Sequence, residues 1–305
     1  SAIPYWVSYI DALIYTEQLD LAENLLKFGR SNGLAGEAFD QLETILEAQL
    51  EENKLAPLQA QLDSINALYS KGQVEKTLKY LDILIKSHPN LSILHYISGD
   101  CYKDLGQFKT AVTSYQRALQ IEPNCAEVHH NLASVLRELN ERDAAVKHYK
   151  KALRNKQDFV EAYNNLGVTF QELGQQDAAV KSYEKALIIK PDYAEAYFNL
   201  GNSLMSIGQL CVAAENFEKA LMIEPNYTEA HNNLGLTLKD LGQTDVAIKC
   251  FEQARAIKPD YLEAYNNHLF TLNYSTNHEP DFCLKEARKF GVLCSKKVAA
   301  CFSDF

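Results

Sequence analysis

The sequence is poor in chain breakers: its 305 residues hold 8 prolines, 13 glycines and a single tryptophan. Runs of Val, Ile and Thr of the kind that build sheets are missing too, so an all-helical chain is expected. No apolar run approaches the about 18 residues that cross a bilayer, and no membrane partner is expected. Lys and Arg form no basic stripe and the formal net charge is −10, which argues against nucleic acid as a partner. The seven cysteines are scattered without a CxxC pair. Neither a disulfide framework nor a zinc site is signalled, and reduced thiols in a cytoplasmic setting are the expectation. The opening SAIPYWVSYI has no basic leader, so no signal peptide is read there. There is no Gly-rich phosphate loop, no HExxH and no GxSxG. Catalytic residues, cofactors and metals are therefore all expected to be absent, and the expected role is binding.

What the sequence does have is a period. Pro89, Pro123, Pro191, Pro225 and Pro259 are separated by 34 or 68 residues, with Gln157 at the vacant place. Blocks 92–125, 126–159, 160–193, 194–227 and 228–261 then align in columns. Ala111, Ala145, Ala179, Ala213 and Ala247 form one column, and Ala118, Ala152, Ala186, Ala220 and Ala254 another. Small residues let two helices approach closely. Between the two columns stands an aromatic one, Tyr115, Tyr149, Tyr183, Phe217 and Phe251, whose rings fill the space between helices. Gly106, Gly174, Gly208 and Gly242, with Asn140 once in their place, mark a left-handed turn between two helices. At the next boundary, Asn or Asp is followed three residues later by Glu, as in Asn124 and Glu127 or Asp192 and Glu195. That spacing is expected to form a capping box.

This pattern resembles the tetratricopeptide repeat, a helix-turn-helix unit. The resemblance implies an all-α, right-handed superhelical solenoid with a concave inner face. Residues 58–91 fit a weaker repeat and 3–36 a degenerate one, with a long helix expected over 37–57, so that 1–57 forms an N-terminal region of its own. After 261 comes half a repeat, a turn at STNHEP and an amphipathic helix over 281–300, expected to cap the stack. The apolar ending CFSDF suggests a cut terminus.

Solenoids bind through their inner face. The sixth place of each block from 126 onward is asparagine without exception: Asn131, Asn165, Asn199, Asn233 and Asn267. A carboxamide both donates and accepts, so a ladder of them can pair with the backbone of an extended peptide whatever its side chains are. These five residues are the candidate peptide-binding site. The same amides can instead bond the adjoining repeat, in which case replacing them by Ala lowers stability. On the peptide reading, melting is expected to stay nearly unchanged. Ile97 and Asp63 stand at this place in the earlier blocks, which puts the binding stretch in the C-terminal two-thirds. The second place is Glu throughout (Glu127, Glu161, Glu195, Glu229, Glu263), an acidic entrance that disfavours a carboxylate-clamping mode. His95, His129 and His231 share the fourth place and read as packed, hydrogen-bonded rings. The pair His129-His130 reads as one buried and one exposed ring.

Two segments narrow the resemblance. AEVHHNLASVLRELNERDAAVKHYKKAL (126–153) is similar to the repeat region of O-GlcNAc transferases, and EAYNNHLFTLNYSTNHEPDFCLKEARKFG (263–291) looks like the junction that leads into the catalytic domains of their bacterial relatives. The opening PYWVSYIDALIYTEQLDLAENLLKFGRSNGLAGEAFDQLE resembles the start of the same proteins. The resemblance implies a module that selects protein substrates for a sugar transfer performed beyond Phe305. A free-standing scaffold and a self-assembling homo-oligomer are the alternatives.

Overall fold

A computed structural model of the chain describes residues 3–16, 18–275 and 279–302, and all of its regular structure there is helical. Two compact units divide at residues 87 and 88.

The first unit contains α1 (Ile3–Tyr15), α2 (Leu19–Ser31), α3 (Glu37–Ser70) and α4 (Val74–Ser87). Ile10, Leu13 and Ile14 of α1 meet Ala22 and Leu26 of α2 and Phe39, Leu42 and Leu46 of α3 in one core. Trp6 stacks on Phe28 with ring centroids 6.0 Å apart, and Arg30 bonds Glu43 at 2.7 Å and also pairs with Asp40. A single helix runs through 37–57 and onward to Ser70, so the first half of block 58–91 belongs to α3.

The second unit is a run of helix pairs. These are α5 (Ser92–Asp104) with α6 (Phe108–Ile121), α7 (Ala126–Glu138) with α8 (Arg142–Asn155), and α9 (Val160–Glu172) with α10 (Gln176–Ile189). They are followed by α11 (Ala194–Ser206) with α12 (Leu210–Ile223), α13 (Thr228–Asp240) with α14 (Thr244–Ile257), and then α15 (Leu262–Leu272) and α16 (Pro280–Phe302). Each helix packs on the next in chain order, which makes the unit an all-α solenoid. Each first helix also touches the first helices of the flanking repeats, whereas second helices of successive repeats stand farther apart. The first helices therefore form the inner row.

The columns explain the pairing. Both alanine columns are buried, and Tyr115, Tyr149, Tyr183, Phe217 and Phe251 are fully enclosed. Tyr115, Tyr183, Phe217 and Phe251 each lie on the glycine at the eighth place of their own first helix, and a Cβ built on Gly167, Gly201 or Gly235 would come within 2.5, 2.7 and 2.6 Å of the ring. The enclosed hydroxyls find partners, as buried polar groups must. Tyr115 donates to Asp100 at 2.5 Å and Tyr183 to Gln171 at 3.0 Å, while Tyr149 meets the Ser134 hydroxyl at 3.0 Å. Phe217 and Phe251 have no hydroxyl to satisfy. Gly106, Gly174, Gly208 and Gly242 have φ between 69° and 78°, and Asn140 has φ 65°.

The expected capping box does not form. The residues that cap α7, α9, α11, α13 and α15 are Cys125, Phe159, Tyr193, Tyr227 and Tyr261, one place beyond the Asn or Asp, and none makes a side-chain cap bond. Glu therefore falls at the second helical position and not the third, where it cannot complete the reciprocal pair. At the other end, α16 packs on α15. Glu286 of α16 is buried and receives Arg255 Nη2 at 2.7 Å and Lys289 Nζ at 2.5 Å. The Arg255 guanidinium lies 3.7 Å from the centroid of Tyr265. The turn expected at 275–280 and the last residues of CFSDF lie partly outside the described residues.

Candidate functional site

The five candidate asparagines sit one above another on the first helices α7, α9, α11, α13 and α15, each half-buried. Every one of them donates from Nδ2 to the preceding repeat. Asn131 reaches Asp100 Oδ1 at 2.8 Å and the Tyr96 hydroxyl at 3.2 Å. Asn165 reaches His130 Nε2 at 3.0 Å, Asn199 reaches Asn164 Oδ1 at 3.1 Å, Asn233 reaches Asn202 Oδ1 at 2.7 Å and Asn267 reaches Asn232 Oδ1 at 2.9 Å. The amides are thus ties between repeats, and their alanine variants are expected to cost stability.

Their carbonyl oxygens differ. That of Asn131 accepts from His130 Nδ1–H at 3.1 Å, and that of Asn233 from Asn232 Nδ2 at 3.2 Å. Those of Asn165, Asn199 and Asn267 accept no hydrogen bond from the described residues, and none of them is fully buried, so each keeps some contact with solvent.

The fifth place, which varies in sequence, is the receiving side of these ties. Tyr96, His130, Asn164 and Asn232 all accept there, and Asn164 and Asn232 are 1% and 3% exposed. Asn164 also donates to Glu195 Oε1 at 3.1 Å. Sequence reasoning passed over this column because its chemistry changes from repeat to repeat. The available signal was that nearly every member can accept a hydrogen bond, whatever its type. Asp100 and Asn202, at the ninth place, are the other receivers.

The histidine column is hydrogen-bonded as its placement suggested. His95, His129 and His231 each contact the carbonyl of the proline six residues earlier, at 2.9, 3.0 and 2.9 Å. The pair His129-His130 differs from the expectation, because neither ring is exposed. His130 packs against Phe159 and Tyr149 with centroids 4.8 and 5.6 Å away. His129 Nδ1 lies 3.0 Å from His148 Nδ1. Burial pushes the pKa of all three rings down, that of His148 to about 4. Neutral rings satisfy this geometry: His129 Nε2–H donates to Pro123, and its Nδ1 accepts from His148.

The acidic entrance is exposed along its length. Lys156 bonds Glu127 at 3.0 Å and holds its carboxyl below the usual carboxylate range. Tyr193 and Tyr261 donate to Glu195 and Glu263 at 3.2 and 3.0 Å. Among the described residues no group of three or more His, Cys, Asp or Glu side chains could hold a metal ion, and no helix is long and apolar enough to cross a membrane.

Comparison with known proteins agrees with the repeat architecture. The family model described as TPR repeat matches residues 99–136, 133–174, 170–208 and 201–242, and the model described as Tetratricopeptide repeat matches 228–261. Among solved structures, MamA is 27% identical with a TM-score of 0.53, over 55% of this chain and 97% of MamA. YrrB, described as a TPR protein with an unusual peptide-binding site, is 21% identical with a TM-score of 0.53, over 61% of this chain and 96% of its own. PilW, a widely conserved type IV pilus biogenesis factor, is 21% identical with a TM-score of 0.62, over 68% and 96%. No curated protein matches the chain.

Proposed function

This chain belongs to the tetratricopeptide repeat family, and we propose on that premise that its first-helix row binds an extended segment of a partner protein through the asparagine ladder. The observation that carries this reading is the set of carbonyl oxygens on Asn165, Asn199 and Asn267 that keep some contact with solvent and accept no hydrogen bond from the described residues. Each is held in place by the amide nitrogen of the same side chain, which is tied to the preceding repeat. A fixed acceptor loses little entropy when it meets a backbone N–H. The ladder is a scaffold element and a recognition element at once, and Asn131 and Asn233 serve the scaffold with both of their polar atoms.

The finer reading is that the partner is a protein substrate of an O-GlcNAc transferase-like enzyme. It is supported by the resemblance of segments 126–153 and 263–291, and a nucleotide-sugar domain encoded after Phe305 is what it requires. A scaffold without an attached catalytic domain is favoured by a different observation, since part of this chain covers 97% of MamA.

The test compares two double variants that each remove two ladder residues. Asn165→Ala with Asn199→Ala should weaken binding of a degenerate pool of labelled extended peptides about tenfold, whereas Asn131→Ala with Asn233→Ala should leave it near wild type. Circular dichroism confirms that both remain folded at the assay temperature. Equal peptide affinity in the two variants contradicts the ladder.

A further inference from the structure

Phe159, Tyr193, Tyr227 and Tyr261 occupy the last place of four consecutive repeats, each immediately before a first helix. Three of these rings are covered by a lysine from the preceding turn. Lys156 Nζ lies 4.8 Å from the centroid of Phe159, Lys190 Nζ 5.3 Å from that of Tyr193 and Lys258 Nζ 5.6 Å from that of Tyr261. Distances of this size support a cation–π attraction. At Tyr227 the corresponding residue is Glu224, and among the described residues no cation lies over the ring.

Repeat 126–159 shows the complete arrangement. His130 packs against Phe159 at 4.8 Å between ring centroids, Lys156 lies over the same ring, and Lys156 Nζ reaches Glu127 Oε1 at 3.0 Å. Repeat 194–227 reproduces every part except the cation. Phe198 stands where His130 stands and packs against Tyr227 with centroids 4.8 Å apart, and Glu195 stands where Glu127 stands. Among the described residues, the donors to Glu195 are the neutral Asn164 Nδ2 and Tyr193 hydroxyl. Burial, reinforced by the charges of Glu195, Glu229 and Glu224, pushes the Tyr227 hydroxyl up to about 12, so three carboxylates act on this one ring.

We propose that the Tyr227 ring, with Glu195 and Glu224, is a seat for one basic side chain, lysine or arginine, of the segment bound on the first-helix row. The inference rests on the proposed function and adds a charge requirement at one position, beside the ladder residue Asn199. The chain itself supplies the chemistry. Its three sibling rings are each occupied by a lysine of its own, and the fourth keeps the ring, the packed aromatic neighbour and the carboxylate while exchanging the lysine for another anion. A partner's ammonium would sit there as Lys156 sits over Phe159. The acidic column alone would not single out this repeat, because Glu161 and Glu263 share it. The uncovered ring does.

Two labelled pools of degenerate peptides test the seat, one with a fixed central lysine and one with norleucine at that place. Wild type should bind the lysine pool about fivefold more tightly. In Glu224→Lys the chain's own lysine fills the seat as in the sibling repeats, and the preference should vanish while the melting temperature holds or rises. Equal affinity of wild type for both pools overturns the seat but leaves the groove reading standing, provided that Asn165→Ala with Asn199→Ala still weakens both. A lysine preference that survives in Glu224→Lys overturns the seat as well. Failure of wild type to bind either pool overturns the seat together with the function it rests on.

Discussion

Asn199 donates from Nδ2 to the Oδ1 of Asn164 at 3.1 Å, across 35 residues of chain and one repeat boundary. Asn267 makes the same bond to Asn232 at 2.9 Å. Two side chains of the same type, one half-buried and one buried, thus tie neighbouring first helices at two junctions of the stack, and the other ladder amides tie theirs to different receivers.

This tie predicts a measurable coupling. Asn199→Ala should lower stability by about 1 kcal/mol, because a buried acceptor on Asn164 loses its donor. In a double-mutant cycle with Asn164→Ala, urea denaturation should give an interaction energy of about 0.5–1.5 kcal/mol. Strict additivity would show that the bond carries no stability.

The fold was legible in the sequence because its determinants are invariant in type: small residues at two columns, a ring at a third and a left-handed residue at the turn. Half of the candidate site was legible for the same reason, since all five ladder members are asparagine. The other half was hidden, because a receiving side needs only an acceptor, and Tyr96, His130, Asn164 and Asn232 meet that need with different side chains. The capping box failed for a geometric reason. Whether Asn or the following aromatic residue ends the turn decides whether Glu lies at the second or the third helical position, and the spacing alone does not say.

The aromatic column sets a size limit. Ala133 is buried in the same core as Tyr149, at the place where glycine meets a ring in the other repeats, so the fold accommodates one methyl group there. Gly235→Ala should therefore be close to neutral, with steric cost offset by the roughly 1 kcal/mol gain in helix propensity. Gly235→Val should destabilise by roughly 2–3 kcal/mol, because the Cβ already comes within 2.6 Å of Phe251. Denaturation midpoints of the two variants check both statements.

Acid should loosen the repeat that begins at Ala126. His129, His130 and His148 have folded pKa values below the unfolded value, that of His148 at about 4. The unfolded chain therefore binds more protons between the unfolded value and the folded ones, and stability falls as pH drops through that window. Above about pH 6.5 this contribution is fully present. The melting temperature should fall by roughly 2–6 °C between pH 7 and pH 5, after allowance for partial solvent exposure. The variant His148→Phe should show a smaller fall.

The last helix is held by a buried charge. Removing Arg255, as in Arg255→Met, leaves Glu286 with Lys289 alone. Breaking such a pair should cost about 3 kcal/mol. Limited proteolysis should then cut within α16 well before it cuts the inner repeats, and unchanged protection would show that apolar packing on α15 suffices.

The most direct measurement is a peptide titration of protein labelled with nitrogen-15 only at asparagine side chains. The account predicts that the amide signals of Asn165 and Asn199 shift on addition of an extended peptide pool while that of Asn131 stays in place. Binding that moves none of the five ladder signals would contradict it.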